Sequence, residues 1–147
     1  MLIRHVWAAV VVSALVLSVS ACNTVPALAP PQTGCTANDP RVDQTAELSN
    51  TSTHGVGGTA SIVDDCTIVI EDFTYDGIGL DVRVVGAQDS DLTDPVVLLP
   101  YNLARLGAYS GEQIVVRLPE GVTLDDVPTI SIMCVSFMLN FGQGTFE

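Results

Sequence analysis

The sequence predicts an all-β fold, an antiparallel β-sandwich or a barrel-like single domain. Three observations carry this expectation. Apolar, β-branched runs alternate with turn residues at intervals of about ten to fifteen residues, the rhythm of short strands. Almost no segment shows helical periodicity. The chain has 147 residues, a length that allows one domain and leaves little room for two.

The elements follow in chain order. Residues 1–21 read as an export signal: Arg4 supplies the basic start, and 6–19 (VWAAVVVSALVLSV) is apolar but shorter than the roughly 20 residues a bilayer crossing takes. The run ends in Val19-Ser20-Ala21-Cys22. Small residues before a Cys, directly after such a run, resemble the bacterial lipobox, which implies a lipoprotein acylated at Cys22. The expected location is the cell membrane, lipid-anchored on the extracytoplasmic side, because two or more acyl chains give stable anchoring. Residues 22–34 carry the lipidated Cys and an uncharged, Pro-rich tether. Residues 35–147 form the folded part.

Within that part, 57–63 (GGTASIV), an Asp64-Asp65 turn and 66–73 (CTIVIEDF) predict a hairpin. Residues 80–85 (LDVRVV) predict the next strand, 89–94 an acidic loop, and 96–99 and 113–118 (QIVVRL) two more strands. The run 129–141 (TISIMCVSFMLNF) is the longest apolar stretch, followed by 142–146 as a terminal turn or strand. Short helical turns are expected near 103–106 and 124–127.

Charge narrows the function. Five basic residues, all Arg, stand against 17 acidic ones for a net charge of −12. So acidic a surface repels phosphates, which excludes nucleic acid as a partner. The carboxylates cluster at Asp64-Asp65, Asp72 and Asp76, Asp89, Asp91 and Asp94, and Asp125-Asp126. All fall in expected turns, where Asp is favoured for its own backbone hydrogen bonds. The Asp89 group lacks the Gly and closing Glu of an EF-hand loop. Hydrolase chemistry has no foothold: there is no G-x-S-x-G elbow, and the one Trp, Trp7, lies in the export segment.

Taken in order, five segments resemble a known family. His54-Gly55-Val56-Gly57-Gly58-Thr59-Ala60 resembles its H-x-x-x-G-x-A opening, and Ile68-Val69-Ile70-Glu71-Asp72-Phe73 its L-x-L-x-x-F strand. Gly79-Leu80-Asp81-Val82-Arg83-Val84 resembles its G-P-D-L-x-V segment, with Leu80 in place of Pro. Residues 109–119 resemble its Y-x-polar-LP stretch. Residues 131–144 resemble the closing V-x-I-W-C-x-x-F-x-V-x-F-G-x-A, with Met133 for Trp and Gly144 for Ala. This is the DM-thirteen domain family, a DOMON-associated module. The resemblance implies a redox or electron-transfer role, a reactive Cys at 134 and a redox protein as partner.

Apart from Cys22, three cysteines remain. Cys35 and Cys66 lie outside the family's motif positions and are expected to form a disulfide that pins the entry segment to the hairpin. Cys134 then stands alone. Strand alternation faces it inward beside Ile132, where a Cys ordinarily behaves as a small hydrophobe. No Lys, and no Arg near it in sequence, stands by to activate it. The residues by themselves therefore leave two readings, a redox accessory built on Cys134 and a non-catalytic surface binding or adhesion module whose thiol is core. His54 is an accessory candidate. With Cys134 and Met133 or Met138 it makes a His/Cys/Met set that suits copper, although a blue-copper site takes two His. No cofactor motif is evident; copper or haem would be the groups to look for.

Overall fold

A computed structural model describes residues 30–92, 97–105 and 107–147. The expected export signal, Cys22, the tether up to residue 29, Asp94 and Leu106 lie outside the described residues. Within them are eight strands: β1 (Thr45–Asn50), β2 (Gly57–Asp64), β3 (Thr67–Tyr75), β4 (Val82–Ala87), β5 (Val97–Asn102), β6 (Tyr109–Arg117), β7 (Thr129–Cys134) and β8 (Leu139–Thr145). All pairings are antiparallel, in the order β5-β4-β7-β8-β1-β2-β3-β6. The two end strands, β5 and β6, come within 8 Å of each other, Cα to Cα. The result is a nearly closed, barrel-like sheet of the expected all-β class.

The curl is made at β1, whose first four residues (45–48) pair with β2 and whose last two residues pair with β8. Its sequence, TAELSN, puts only Ala46 and Leu48 into the core. Two apolar positions in six are too faint a signal to announce a strand, and sequence reading passed over it. Gly144 of β8 lies against the same strand: a Cβ there would sit 2.6 Å from the Glu47 carbonyl oxygen. The Ala usual at this position would not fit the observed backbone.

The end strands are protected differently. β5 carries Pro100, which lacks the N–H an edge could offer another chain. Beside the end of β6 runs the entry segment. Pro31 bridges to Pro119, and Gln32 N donates to the Leu118 carbonyl at 3.0 Å. The last residues of the expected tether are thus laid against the barrel.

Two further differences matter for the site. The 129–141 run is not one strand but a hairpin, β7 and β8 joined by a 3-10 turn at Val135–Phe137 and by Met138 in the left-handed region (φ 52°). The turn contains neither Gly nor Pro, so nothing in its composition marks it. The expected hairpin over 57–73 does form, but β3 carries a bulge. Ile68 and Ile70 face inward, Glu71 and Asp72 are both exposed, and inward pointing resumes at Phe73 and Tyr75. Asp72 takes φ 50°, and pairing to both neighbouring strands shifts register there. An extra residue that reverses the alternation is what a bulge supplies. Asp72, expected in a turn, is therefore inside a strand. Near 124–127 the expected turn forms as a 3-10 segment, Leu124–Asp126. Asp126 Oδ2 accepts from Thr123 N and Thr123 Oγ1, each at 2.8 Å. The backbone bond first, then the hydroxyl, holds the Asp126 carboxyl below its ordinary range. Residues 103–105 take no regular structure.

Candidate functional site

Cys134 closes β7, paired with Val82 on one side and Leu139 on the other. Ile130, Ile132 and Cys134 belong to the central apolar cluster, as strand alternation requires. The residue is 2% exposed and its thiol donates to the Leu80 carbonyl at 3.3 Å. Among the described residues it is the free cysteine.

Tyr75 reaches the same end of the barrel because of the β3 bulge. Its hydroxyl donates to the Ile78 carbonyl at 2.7 Å. Gly79 lets the chain pass: a Cβ there would stand 2.5 Å from Val82 Cγ2 and 3.1 Å from Tyr75 Oη. Burial, above all, pushes the Tyr75 phenol up to about 12; the Asp76 carboxylate, Cys134 and Tyr109 add to it, each placing negative charge beside a would-be phenolate. The phenol is therefore a fixed hydrogen-bond donor at ordinary pH.

From Tyr75 the aromatic rings continue in two directions. Phe141 lies 6.1 Å away, centroid to centroid, and His54 stacks on Phe141 at 3.9 Å. Tyr109 also lies 6.1 Å from Tyr75, and Phe73 meets Tyr109 edge-on at 5.2 Å. The Arg105 guanidinium sits 3.6 Å over the Tyr109 ring and pairs with Glu112 at 2.6 Å. His54 is held by Asp76, Nδ1 to Oδ2 at 2.9 Å, and its carbonyl accepts from Asp76 N. Around Cys134 the surface is apolar. Ile78, Leu80, Phe137, Met138 and Leu139 are each more than half exposed.

The candidates named from sequence separate here. Cys134 is inward, as expected. His54 joins the aromatic group through Phe141 and Tyr75. Met133 is buried on the opposite face of β7, outside the central cluster, paired with Arg83 and Asn140. Alternation keeps it from sharing an ion with Cys134, and Met138 points to solvent. Cys35 and Cys66 stand as a disulfide, Cα to Cα 5.7 Å. With Asp64 and Asp65 they form the group of potential metal ligands found among the described residues. The S–S bond leaves neither sulfur as a thiolate ligand, and among the described residues none supplies a second His for copper.

Sequence reading missed Tyr75, Phe141, Asp76 and Arg117. The usable signal for Tyr75 was Glu71-Asp72: two successive polar residues inside an alternating strand announce a change of parity. The other three are brought in by tertiary contacts alone. A separate polar groove of 410 Å³ runs along β1 and β8 beside Glu47, Ser49, Gln143 and Thr145.

Comparison with known proteins places this geometry. Two curated relatives are isoforms of one Drosophila melanogaster protein, "Protein Skeletor, isoforms B/C" and "Protein Skeletor, isoforms D/E". Each is 32% identical over 98 residues, 61% of this chain. The aligned stretch is 12% and 6% of those proteins, so the chain corresponds to a small part of each. No solved structure matches. Residues 47–146 match the family described as "Electron transfer DM13", a span that runs from within β1 to past the end of β8. The chain belongs to the DM13 electron-transfer family.

Proposed function

We propose that this chain is a lipid-anchored, extracytoplasmic electron-transfer accessory with Cys134 as its reactive centre. The observation that carries the reading is the free, buried thiol hydrogen-bonded to the Leu80 carbonyl, two residues from the Ile78 carbonyl that holds the Tyr75 hydroxyl, beneath an exposed apolar rim. A one-electron step there passes the electron to the redox partner and leaves a thiyl or tyrosyl radical, its proton going to solvent base, while the Leu80 and Ile78 carbonyls hold the S–H and O–H in place. Tyr109, 6.1 Å from Tyr75, adds a second oxidisable phenol, and the Phe141 and His54 rings pack around the pair. A redox protein partner docks on the rim formed by Leu80, Phe137 and Leu139, where apolar contact excludes water from the transfer. Acylation of Cys22 holds the domain at the membrane, and His54, fixed by Asp76, positions Phe141.

The experiment measures Cys134 in the native full chain. Partial modification by a small maleimide, together with loss of oxidation by a one-electron oxidant in Cys134→Ser, supports the proposal. A thiol that stays silent until the chain unfolds, with oxidation unchanged in the variant, overturns it. That outcome would favour the second reading, a non-catalytic binding or adhesion module, for which the groove along β1 and β8 offers the surface.

A further inference from the structure

A second sulfur centre lies away from Cys134, and it is built asymmetrically. Cys66 is 1% exposed, while Cys35 is only partly covered. Arg117, the last residue of β6, reaches over both: its Nη1 stands 3.1 Å from Cys35 Sγ and 4.0 Å from Cys66 Sγ. A disulfide sulfur is a poor acceptor and gains little from a guanidinium. A thiolate gains a charge-assisted hydrogen bond. The position of Arg117 therefore favours the reduced state more than the oxidised one.

The surrounding scaffold does not depend on the bond. Asp65 N donates to the Thr36 carbonyl at 2.9 Å, and the Asp65 carboxylate accepts from Thr36 N at 2.8 Å and Thr36 Oγ1 at 2.9 Å. Asp64 Oδ1 accepts from Cys66 N at 3.0 Å, and Leu118 N donates to the Cys66 carbonyl at 2.8 Å. These bonds hold the entry segment against the β2–β3 turn whether the sulfurs are joined or not. An opened pair stays side by side, ready to close.

We propose that Cys35–Cys66 is an exchangeable redox disulfide, which takes two electrons from a dithiol-bearing partner. The partner's thiolate attacks the accessible Cys35 Sγ. The S–S bond breaks, and its electron pair leaves on Cys66 Sγ, next to Arg117. The partner's second thiolate then attacks its own sulfur in the mixed disulfide and releases Cys35 as a thiolate beside Arg117. The partner dithiol ends as a disulfide. Its two protons pass to solvent or to the two released sulfurs. Asp64 and Asp65, whose carboxylates lie within 4.8 Å of the sulfurs, oppose the thiolates and set the potential against Arg117. Cys66 and Tyr75 are at opposite ends of β3, separated by about 30 Å at a rise of about 3.3 Å per residue. The two sulfur centres are therefore independent.

The test equilibrates the oxidised full chain with dithiothreitol and with glutathione buffers, traps thiols with iodoacetamide, and assigns each cysteine by mass. Because Cys134 is mapped separately, this proposal and the Cys134 reading succeed or fail apart. Expected are opening of Cys35–Cys66 with circular dichroism unchanged and glutathione trapped on Cys35. Arg117→Gln should lower the equilibrium constant for reduction about fivefold, which is about 20 mV for a two-electron couple. Arg117→Lys should recover most of the loss, and Asp65→Asn should shift the constant the other way. A bond that opens only on unfolding, glutathione trapped on Cys66, or an Arg117→Gln constant equal to the parent overturns the proposal.

Discussion

Replacing Gly58 by Ala tests whether the β3 bulge is what builds the site. Gly58 has φ +129°, and a Cβ on it would stand 2.7 Å from the Glu71 carbonyl oxygen and 3.1 Å from Phe73 Cα. Both atoms are backbone, fixed by pairing of β3 to β2 and β6, so neither can swing aside. Gly121 provides the reference: its φ is +82° and a Cβ would meet nothing within 4 Å. Gly121→Ala should therefore cost only the backbone term, about 1 kcal/mol. Gly58→Ala adds a steric term of about 2 kcal/mol or more to a comparable backbone term. The expected total is about 3 kcal/mol, or a Tm lower by about 12 °C for a domain of this size. Urea unfolding of the two variants, with midpoints compared at constant slope, measures the difference. Near-ultraviolet circular dichroism should also change in Gly58→Ala, because Tyr75 and Phe73 hang on the bulge. Equal stability of the two variants, with the aromatic spectrum intact, would refute the reasoning.

Three further outcomes are expected. Tyr75 holds its proton more tightly folded than unfolded, with a folded value of about 12 against an ordinary 10. Its contribution is therefore complete below about pH 10 and is lost as pH rises toward about 12, on the order of 2 kcal/mol. Urea midpoints between pH 8 and 12 should show the decline, and Tyr75→Phe should flatten it. Reducing Cys35–Cys66, which closes a loop of sequence separation 31, should lower stability by about 3–4 kcal/mol while leaving the barrel folded; calorimetry with and without reductant reads it. Gly144→Ala, although it restores the residue usual in the family, should destabilise by about 2 kcal/mol because of the Glu47 carbonyl. A neutral melting curve would mean that β1 can back away.

Much of the barrel was legible in the chain, and the reason is local. Period-two burial in Ala60–Ile62 and Ile114–Val116 depends on pleat geometry, which neighbouring residues impose on one another, so alternation in sequence becomes a face in space. Turn chemistry at Asp64-Asp65 is equally local. β1 was hidden because its partners on both sides supply most of the burial, and a strand recruited by neighbours needs little apolar content of its own. The β7–β8 turn was hidden because 135–138 offers only Ser136, with no Gly, Pro, Asn or Asp, so the reversal is enforced by pairing across the hairpin.

For the site, the sequence by itself determined the kind of chemistry. It yielded an inward Cys134, a cysteine pair formed by Cys35 and Cys66, an acidic composition, and a motif order leading to the electron-transfer family. Only the tertiary structure decided what each sulfur meets. The bulge at Asp72 turned Tyr75 toward Cys134, packing of β8 brought Phe141 under His54, and the end of β6 laid Arg117 over Cys35 and Cys66. The physical reason is range. Alternation and turns are fixed between near neighbours. Arg117 and Cys35, by contrast, are 82 residues apart, and only closing the barrel brings a charge and a sulfur so far apart in the chain into contact.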